Sequence, residues 1–282
     1  MYRILLPVLL IFVLSCTSSS YTDATKKKFV AVRQTILDSN WKSLPIGGLV
    51  AKIGLQFVNV PYVAKTLEGR GKEQCRVSMD GLDCVTLFET SLNMARIVHQ
   101  GKDSLQDLIE AVTYTRYRDG VLTDFTSRLH YTSDWIDNNI KKGTVVDVTP
   151  QIGGKPFPLN VGFMSKNPSK YPALDTTPAF VTVMKDIEAQ INKTSRTIIP
   201  KANVAAIEDQ LQDGDIIAIA TSKTGLDYSH TGLIVRDGKR ARFLHASLVK
   251  KKVVFDGPIS EYLSGTETNL GITVLRPLPV KR

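Results

Sequence analysis

The apolar residues of this chain follow two periods, which separate helical segments from extended ones. Helical spacing runs through residues 85–98, where Val85 and Phe88 begin an apolar stripe that recurs every three or four positions. The opposite face of this segment is also largely apolar, so the pattern predicts a buried helix. Asp83 is placed to cap its start, and Gly101 follows its end.

The same two periods predict the remaining helices and strands. Further helices are predicted over residues 27–39, 44–57, 104–119 and 177–192. Short strands are predicted over residues 216–220, 230–235, 242–246, 251–255 and 272–275. Residues 145–174 are rich in Gly, Pro, Asn and Lys and are expected to be irregular. Strands that follow helices, with a hairpin at their centre, predict an α+β fold with a mostly antiparallel sheet.

Residues 1–15 have the pattern of a lipoprotein signal peptide. Arg3 precedes an apolar run that ends in Val13-Leu14-Ser15-Cys16, which resembles a lipobox. The run is too short for a spanning helix, which needs about 20 residues. We expect cleavage before Cys16, lipidation of that cysteine, a polar tether over residues 16–26 and one domain over residues 27–282. The alternative is plain secretion with an incidental Cys16.

Composition narrows the class of protein. The 282 residues are 43% hydrophobic and 22% charged, which excludes disorder, collagen and coiled coil. The net charge of +9 is spread along the chain and includes a short lysine triplet at residues 26–28. This distribution suits a polyanionic or carboxylate-rich partner and does not predict nucleic-acid binding.

Cys84 is the candidate nucleophile, because it falls in the first turn of the helix predicted after Asp83. Free N–H groups and the positive end of the helix dipole favour thiolate over thiol at such a position. Cys75 lies in a polar loop without this context. A Cys75–Cys84 disulfide and an inert, buried Cys84 are the alternatives.

Two of the four histidines are candidate partners of that cysteine. His99 lies at the far end of the same helix and is too distant. A tight turn centred on Asp237-Gly238 would place His230 directly opposite His245 across a hairpin. The nucleophile Cys84, a histidine base and a second histidine that orients the base would then lie close together. A structural histidine pair and a metal site with Cys84 are the other interpretations, although no metal-binding motif is present.

Several motifs together resemble the NlpC-type papain-like cysteine peptidases of the bacterial cell wall. In chain order they are Asn59-Val60-Pro61-Tyr62-Val63, Leu82-Asp83-Cys84, Leu211-Gln212-Asp213-Gly214-Asp215-Ile216, Ser229-His230-Thr231-Gly232-Leu233-Ile234 and Phe243-Leu244-His245-Ala246. The resemblance implies a papain-like core with Cys84 as nucleophile, His230 as base and His245 as the third polar residue. It also implies that Tyr62 lies near the oxyanion.

Two departures from that pattern resemble one particular branch of these peptidases. The segment between Cys84 and His230 is much longer than in ordinary members, and Val85-Thr86 replaces the usual Ser-Gly. Residues 83–89 and 127–136 are similar to hallmarks of the N-acetylmuramoyl-L-alanine amidase-like family, and the resemblance extends over residues 29–277. It implies hydrolysis of the bond between muramic acid and L-alanine in peptidoglycan fragments, favouring anhydro-muropeptides. We expect the enzyme to need no cofactor and to be a monomer.

The long insertion, residues 100–200, is expected to form a substrate lobe. Arg128, His130 and Trp135 are its candidate substrate-binding residues, with Trp135 either stacking on a sugar or half-buried in the core. The alternatives in function are a γ-D-glutamyl-diaminopimelate endopeptidase, a metal amidase and an inactive peptidoglycan-binding lipoprotein. The expected location is the bacterial cell envelope, lipid-anchored and facing the periplasm.

Overall fold

The computed structural model describes residues 20–69 and 71–280. The predicted signal peptide at residues 1–15 and the predicted lipidation site Cys16 lie outside this part. Within it the helices are α1 (Asp23–Asp38), α2 (Ile46–Leu55), α3 (Cys84–His99), α4 (Leu105–Arg116), α5 (Thr132–Lys141), α6 (Phe163–Lys166), α7 (Pro172–Thr176), α8 (Pro178–Ile191) and α9 (Ile259–Ser264). No helix of the described residues is both long and apolar enough to cross a membrane.

The strands form one antiparallel sheet, so the chain has a mixed α+β fold. They are β1 (Val145–Asp147), β2 (Lys155–Pro158), β3 (Ser195–Pro200), β4 (Ile216–Thr221), β5 (Tyr228–Asp237), β6 (Arg240–Ser247), β7 (Lys252–Pro258) and β8 (Asn269–Pro277). Their spatial order is β2-β3-β8-β4-β5-β6-β7, and β1 also pairs with β8. Strands β4 to β7 are therefore consecutive neighbours, and β8 returns to pair with β4.

Helix α3 is the predicted buried helix, and its start is confirmed. Asp83 Oδ1 accepts a hydrogen bond from Thr86 N at 2.8 Å, and Asp83 N donates to Thr86 Oγ1 at 2.8 Å. This reciprocal capping box satisfies amide groups that a helix start otherwise leaves free. Leu87, Leu92 and neighbouring apolar residues of α3 are fully buried in the main core. Packing against β5 and β6 fixes the start of α3 beside the hairpin.

The turn between β4 and the preceding segment explains one of the sequence motifs. Gly214 has φ +78°, and a Cβ there would lie 2.2 Å from the carbonyl oxygen of Gly47 in α2. Asp215 Oδ2 accepts from Gln212 N at 2.8 Å, and Asp215 Oδ1 accepts from Arg276 Nε at 2.8 Å. Close packing against α2 therefore requires glycine at position 214. The turn and the contact with β8 favour aspartate at position 215.

The register predicted for the β5–β6 hairpin is wrong by two residues. Asp237 pairs with Arg240 and Leu233 with Leu244, so the turn residues are Gly238 and Lys239. Gly238 has φ +58°, and glycine tolerates this conformation at the first position of a two-residue turn. The change shifts the pairing by an even number, so it leaves the side chains on their predicted faces. His230 and His245 are diagonal neighbours rather than direct partners.

The inserted region departs most from the sequence predictions. Helix α4 ends at Arg116 instead of residue 119, because Tyr117 has an extended backbone; Asp119 and Gly120 beyond it adopt left-handed conformations. Residues 145–174, expected to be irregular, contain the short elements β1, β2, α6 and α7. Helix α5 and strand β3 were not predicted.

Candidate active site

Cys84 is the first residue of α3 and lines a cavity of about 200 Å³. Thr231, the residue after His230 in β5, donates from Oγ1 to the Cys84 carbonyl oxygen at 2.9 Å. This bond joins the start of the helix to the strand that carries the histidine. The cavity is also lined by Val85, His130, Tyr131, Thr132, Met164, Tyr171, Leu226, Asp227, Tyr228, Ser229, His230 and Thr231.

The ionisation of Cys84 differs from the prediction made from its position on the helix. Burial raises the pKa of the thiol to about 11, and the negative charge of Asp83 acts in the same direction. Hydrogen bonds from Thr231 and from the backbone N–H of Cys84 oppose the rise without cancelling it. The helix start alone therefore does not generate a thiolate, and a base is needed to remove the thiol proton.

His230, one of the two histidines in the lining of this cavity, is the candidate base for that proton. It lines the same cavity as Cys84, and its Nε2 lies 2.8 Å from Nδ1 of His245. His245 is only 2% exposed and lies behind His230 rather than in the cavity. The diagonal arrangement across the hairpin thus gives one partly buried imidazole at the cavity and one fully buried imidazole that contacts it.

Aromatic rings hold the two histidines in place. The rings of Tyr262 and His230 are stacked with centroids 6.0 Å apart, and Phe243 stacks on His245 at 4.7 Å. Burial lowers the pKa of His230 to about 3, with His245 adding to the effect. Burial also lowers the pKa of His245 to about 4, although Asp256 opposes this. Both imidazoles are therefore neutral at physiological pH.

Asp256 is a site residue that the sequence analysis missed. Its Oδ2 lies 3.4 Å from His245 Nε2 and accepts from Lys250 Nζ at 2.7 Å. Its other oxygen accepts from Gly257 N at 2.9 Å. Asp256 belongs to β7 and is connected to the site only by the pairing of β6 with β7, which no local motif reveals. Tyr262, from the unpredicted helix α9, was missed for the same reason.

The inserted region forms the opposite wall of the cavity. His130 Nε2 donates to the carbonyl oxygen of Phe125 at 2.7 Å, and burial lowers the pKa of His130 to about 3. Tyr131 donates from its hydroxyl to Glu188 Oε1 at 2.7 Å, which ties this wall to α8. The neutral ring of His130 therefore faces the cavity in a fixed orientation.

Asp227, also missed by the sequence analysis, anchors the same wall. Its Oδ2 accepts from Ser133 N at 2.7 Å and from Ser133 Oγ at 2.6 Å, at the start of α5. Burial raises the pKa of Asp227, and these bonds offset part of the rise. The carboxylate serves to hold α5 against β5.

Two predicted substrate-binding residues do not reach the cavity. Trp135 is only 3% exposed, and its ring packs edge-on against Phe88. Arg128 is 5% exposed and forms ion pairs with Glu68 and Glu73. Among the residues that the structure describes, neither lines the cavity with Cys84. Both side chains are therefore buried in the fold rather than exposed in the lining of this cavity.

Tyr62 lies close to the nucleophile without lining the cavity. Tyr62 bridges to Leu82, two residues before Cys84. Burial raises its pKa, and the charges of Cys84 and Asp83 act in the same direction. Tyr62 N donates to the carbonyl oxygen of Lys251 at 2.9 Å. Residues 61–62 are thereby attached to the start of β7.

Neither Cys75 nor Cys84 forms a disulfide in the described part of the chain. Cys75 is buried beside the Arg116 guanidinium, and burial raises the pKa of its thiol. Within residues 20–69 and 71–280, no group of three or more His, Cys, Asp or Glu side chains is positioned to hold a metal ion.

Comparisons with known proteins identify the class as hydrolases related to peptidoglycan amidases. The chain belongs to the AmiA-like, N-acetylmuramoyl-L-alanine amidase-like family, whose profile matches residues 52–272. The comparison with curated proteins found no match.

Solved structures agree with this family. Three crystal structures of an N-acetylmuramoyl-L-alanine amidase from Bacteroides uniformis ATCC 8492 are 34–36% identical, each with a TM-score of 0.77. They cover 82–83% of this chain and 98–100% of their own. A Legionella pneumophila structure, 22% identical with a TM-score of 0.68 over 91% of this chain and 96% of its own, shares the fold.

Proposed function

We propose that this chain is a cysteine amidase with a papain-like, NlpC-type core. It hydrolyses the N-acetylmuramoyl-L-alanine bond of peptidoglycan fragments, including anhydro-muropeptides. The observation that carries this proposal is the shared cavity of Cys84 and His230, with His245 contacting His230 from behind. Membership of the amidase-like family supports the bond class.

The geometry suits covalent catalysis in two stages. His230 removes the thiol proton while the Cys84 sulfur attacks the lactyl carbonyl carbon. The carbon–nitrogen bond then breaks, His230 returns the proton to the L-alanine amine, and a thioester remains on Cys84. In the second stage His230 removes a proton from water, the hydroxide oxygen attacks the thioester, and the sulfur leaves with that proton. The products are a free stem peptide and the lactyl carboxylate of the sugar.

Transfer of the Cys84 thiol proton to His230 must accompany the attack of sulfur on the carbonyl carbon rather than precede it. A thiol pKa of about 11 beside an imidazole pKa of about 3 makes the neutral thiol and neutral imidazole the resting state. The substrate carbonyl, by excluding water and accepting electron density, would draw the proton onto His230. We assign stabilisation of the resulting oxyanion to the N–H groups at the start of α3 that the capping box leaves free, together with Tyr62.

Recognition of the substrate is assigned to the wall that the insertion builds. We propose that residues 100–200 act as a substrate lobe and that His130 contacts the bound fragment from this wall. Arg128 and Trp135 act indirectly by supporting it. We also propose that a lipid on Cys16 holds a monomeric enzyme in the bacterial cell envelope, facing the periplasm.

Mass spectrometry of defined muropeptides tests the proposal. The wild-type chain, Cys84→Ala and the matched control Cys75→Ala are each incubated with an anhydro-muropeptide, with its reducing-sugar form and with the sugar-free stem peptide. We expect wild type and Cys75→Ala to release L-alanine-terminated peptide from the sugar-bearing substrates, and Cys84→Ala to release none.

Each alternative gives a different result. Cleavage of the stem peptide at the γ-D-glutamyl bond would identify an endopeptidase. Loss of activity with a chelator but not with an alkylating agent would identify a metal amidase. Binding of muropeptides by wild type without any cleavage would identify a binding lipoprotein. Any of these outcomes contradicts the proposal.

A further inference from the structure

The two histidines are connected to a carboxylate that the catalytic scheme above does not use. His230 Nε2 contacts His245 Nδ1 at 2.8 Å, and His245 Nε2 lies 3.4 Å from Asp256 Oδ2. Lys250 donates to the same Asp256 oxygen at 2.7 Å. The four side chains form a continuous series from the cavity to the exposed turn between β6 and β7.

Asp256 is held in its ionised form. Burial alone would raise the pKa of this carboxyl group, but hydrogen bonds from Lys250, Gly257 N and His245 bring it below its usual value. An ionised carboxylate can only accept hydrogen bonds. The nitrogen of His245 that faces it must therefore carry a hydrogen.

This requirement determines the hydrogen positions along the series. A neutral imidazole with a hydrogen on Nε2 has none on Nδ1, so His245 Nδ1 is an acceptor. The group facing it, His230 Nε2, must then be the donor. His230 Nδ1 is left with its lone pair, and this is the nitrogen not engaged by His245. It is the form of His230 that can take a proton from Cys84.

We propose that Asp256, supported by Lys250, is a positioning residue that holds both His245 and His230 in their Nε2–H tautomers. Without the carboxylate, His245 can place its hydrogen on Nδ1 and donate to His230 Nε2. The hydrogen of His230 then moves to Nδ1, where it blocks proton abstraction. The role of Asp256 in catalysis rests on the proposed function, whereas its control of the tautomers does not.

The charged and titratable groups around His245 come from each element packed against it. His230 faces it from β5, Asp256 from β7 and Tyr262 from α9. Lys250, on the turn after β6, contacts Asp256, and its charge lowers the pKa of His245. Among the described residues, Asp256 is the one carboxylate in contact with either imidazole.

Nitrogen-15 NMR of histidine-labelled protein at pH 7 tests the tautomers without any substrate. We expect both rings of the wild type to carry the hydrogen on Nε2, with signals assigned from a His245→Gln spectrum. Asp256→Ala should show an Nδ1–H population in one or both rings, and Asp256→Asn, which keeps an acceptor oxygen, an intermediate one. Asp103→Ala, which removes a surface carboxylate paired with Arg33, is the control and should match wild type.

The chemical consequence is measured by the rate of Cys84 alkylation with iodoacetamide between pH 5 and 9, and by kcat and KM on a muropeptide. Asp256→Ala should lower kcat at least about tenfold with KM nearly unchanged, because a base in the wrong tautomer cannot accept the proton. Asp256→Asn should lie between, and Lys250→Met should lower kcat by a smaller factor.

An Nδ1–H tautomer of His245 in the wild type would overturn the inference, even if Asp256→Ala does not fold. So would tautomers and kcat in Asp256→Ala equal to those of wild type. Nε2–H tautomers that depend on Asp256, found in a protein that cleaves no muropeptide, would support the positioning role and contradict the proposed function.

Discussion

Trp135 donates a hydrogen bond from its indole nitrogen to Glu89 Oε1 at 3.1 Å, and both side chains are buried. The other carboxylate oxygen of Glu89 accepts from Arg116 Nε at 2.9 Å. The tryptophan thus supplies a further hydrogen bond to the buried Glu89–Arg116 ion pair between α3 and α4. This contact accounts for a polar Trp in a hydrophobic setting without any ligand.

Trp135→Phe should therefore change stability and not substrate recognition. Loss of the indole N–H leaves a buried carboxylate oxygen without one donor, which costs about 1–3 kcal/mol. Urea unfolding measures this loss, and kcat/KM on a muropeptide should stay within about twofold of wild type. Trp41→Phe, at a partly buried position outside the lining of the cavity, is the control for kcat/KM and should leave it unchanged. A large fall in kcat/KM at unchanged stability would restore Trp135 to the substrate site.

Gly232 allows β5 and β6 to pack closely beside the histidines. A Cβ at this position would lie 2.6 Å from the Phe243 ring and 2.7 Å from the Leu244 carbonyl oxygen. Gly232→Ala should lower the free energy of unfolding by about 1–3 kcal/mol, because the core is already full.

Displacement of the Phe243 ring, which stacks on His245, should also reduce kcat in Gly232→Ala. Gly257→Ala is the matched control, since its Cβ would meet only the Glu261 side chain at 3.6 Å. Equal unfolding free energies for the two variants would show that the hairpin can adjust without cost.

Local patterns were enough to predict the elements that carry Cys84 and the histidines. Helix α3 has a strong apolar period and a capping residue, and hairpin strands β5 and β6 are adjacent in sequence. The turn position was wrong because Asp237-Gly238 and Gly238-Lys239 both satisfy the turn preferences, and only packing of the paired strands selects one. The predicted register differed by an even number of residues, so His230 and His245 remain on the same face of the sheet.

Residues from distant elements could not be predicted in the same way. Asp256 reaches His245 only because β7 pairs with β6, and Tyr262 because α9 folds back on Phe243. The burial of individual side chains also could not be predicted from the sequence. Sequence alone left open whether Trp135 faced a cavity or the core, and a partner 46 residues away, Glu89, decided it.

The proposed lipid anchor makes a separate prediction for the leader, which lies outside the described residues. Cys16→Ser should change a membrane-fractionating protein into a soluble or unprocessed one, because thioether acylation requires the sulfur. Fractionation followed by immunoblotting measures this, with Ser15→Ala as a control that keeps the cysteine. An unchanged membrane fraction in Cys16→Ser would show that another feature holds the protein there.

Three histidines link stability to pH. The pKa of His130 and of His230 is lowered to about 3 and that of His245 to about 4, with burial the first cause in each case. In the unfolded chain a histidine has a pKa near 6.5. Below about pH 6.5 the unfolded chain therefore binds protons that the folded chain does not bind, and the free energy of unfolding falls.

The fall should be about 1.4 kcal/mol per pH unit for each histidine that only the unfolded chain protonates, and it should be absent above about pH 7. Urea unfolding from pH 8 to pH 5 measures it, and His130→Gln should reduce the slope by about one proton. Over the same range His230 stays neutral, so kcat/KM should persist to about pH 5 instead of falling near 6.5. Constant stability from pH 8 to pH 5, or histidine ring signals that titrate near pH 6.5, would show that these side chains are solvated in the folded protein.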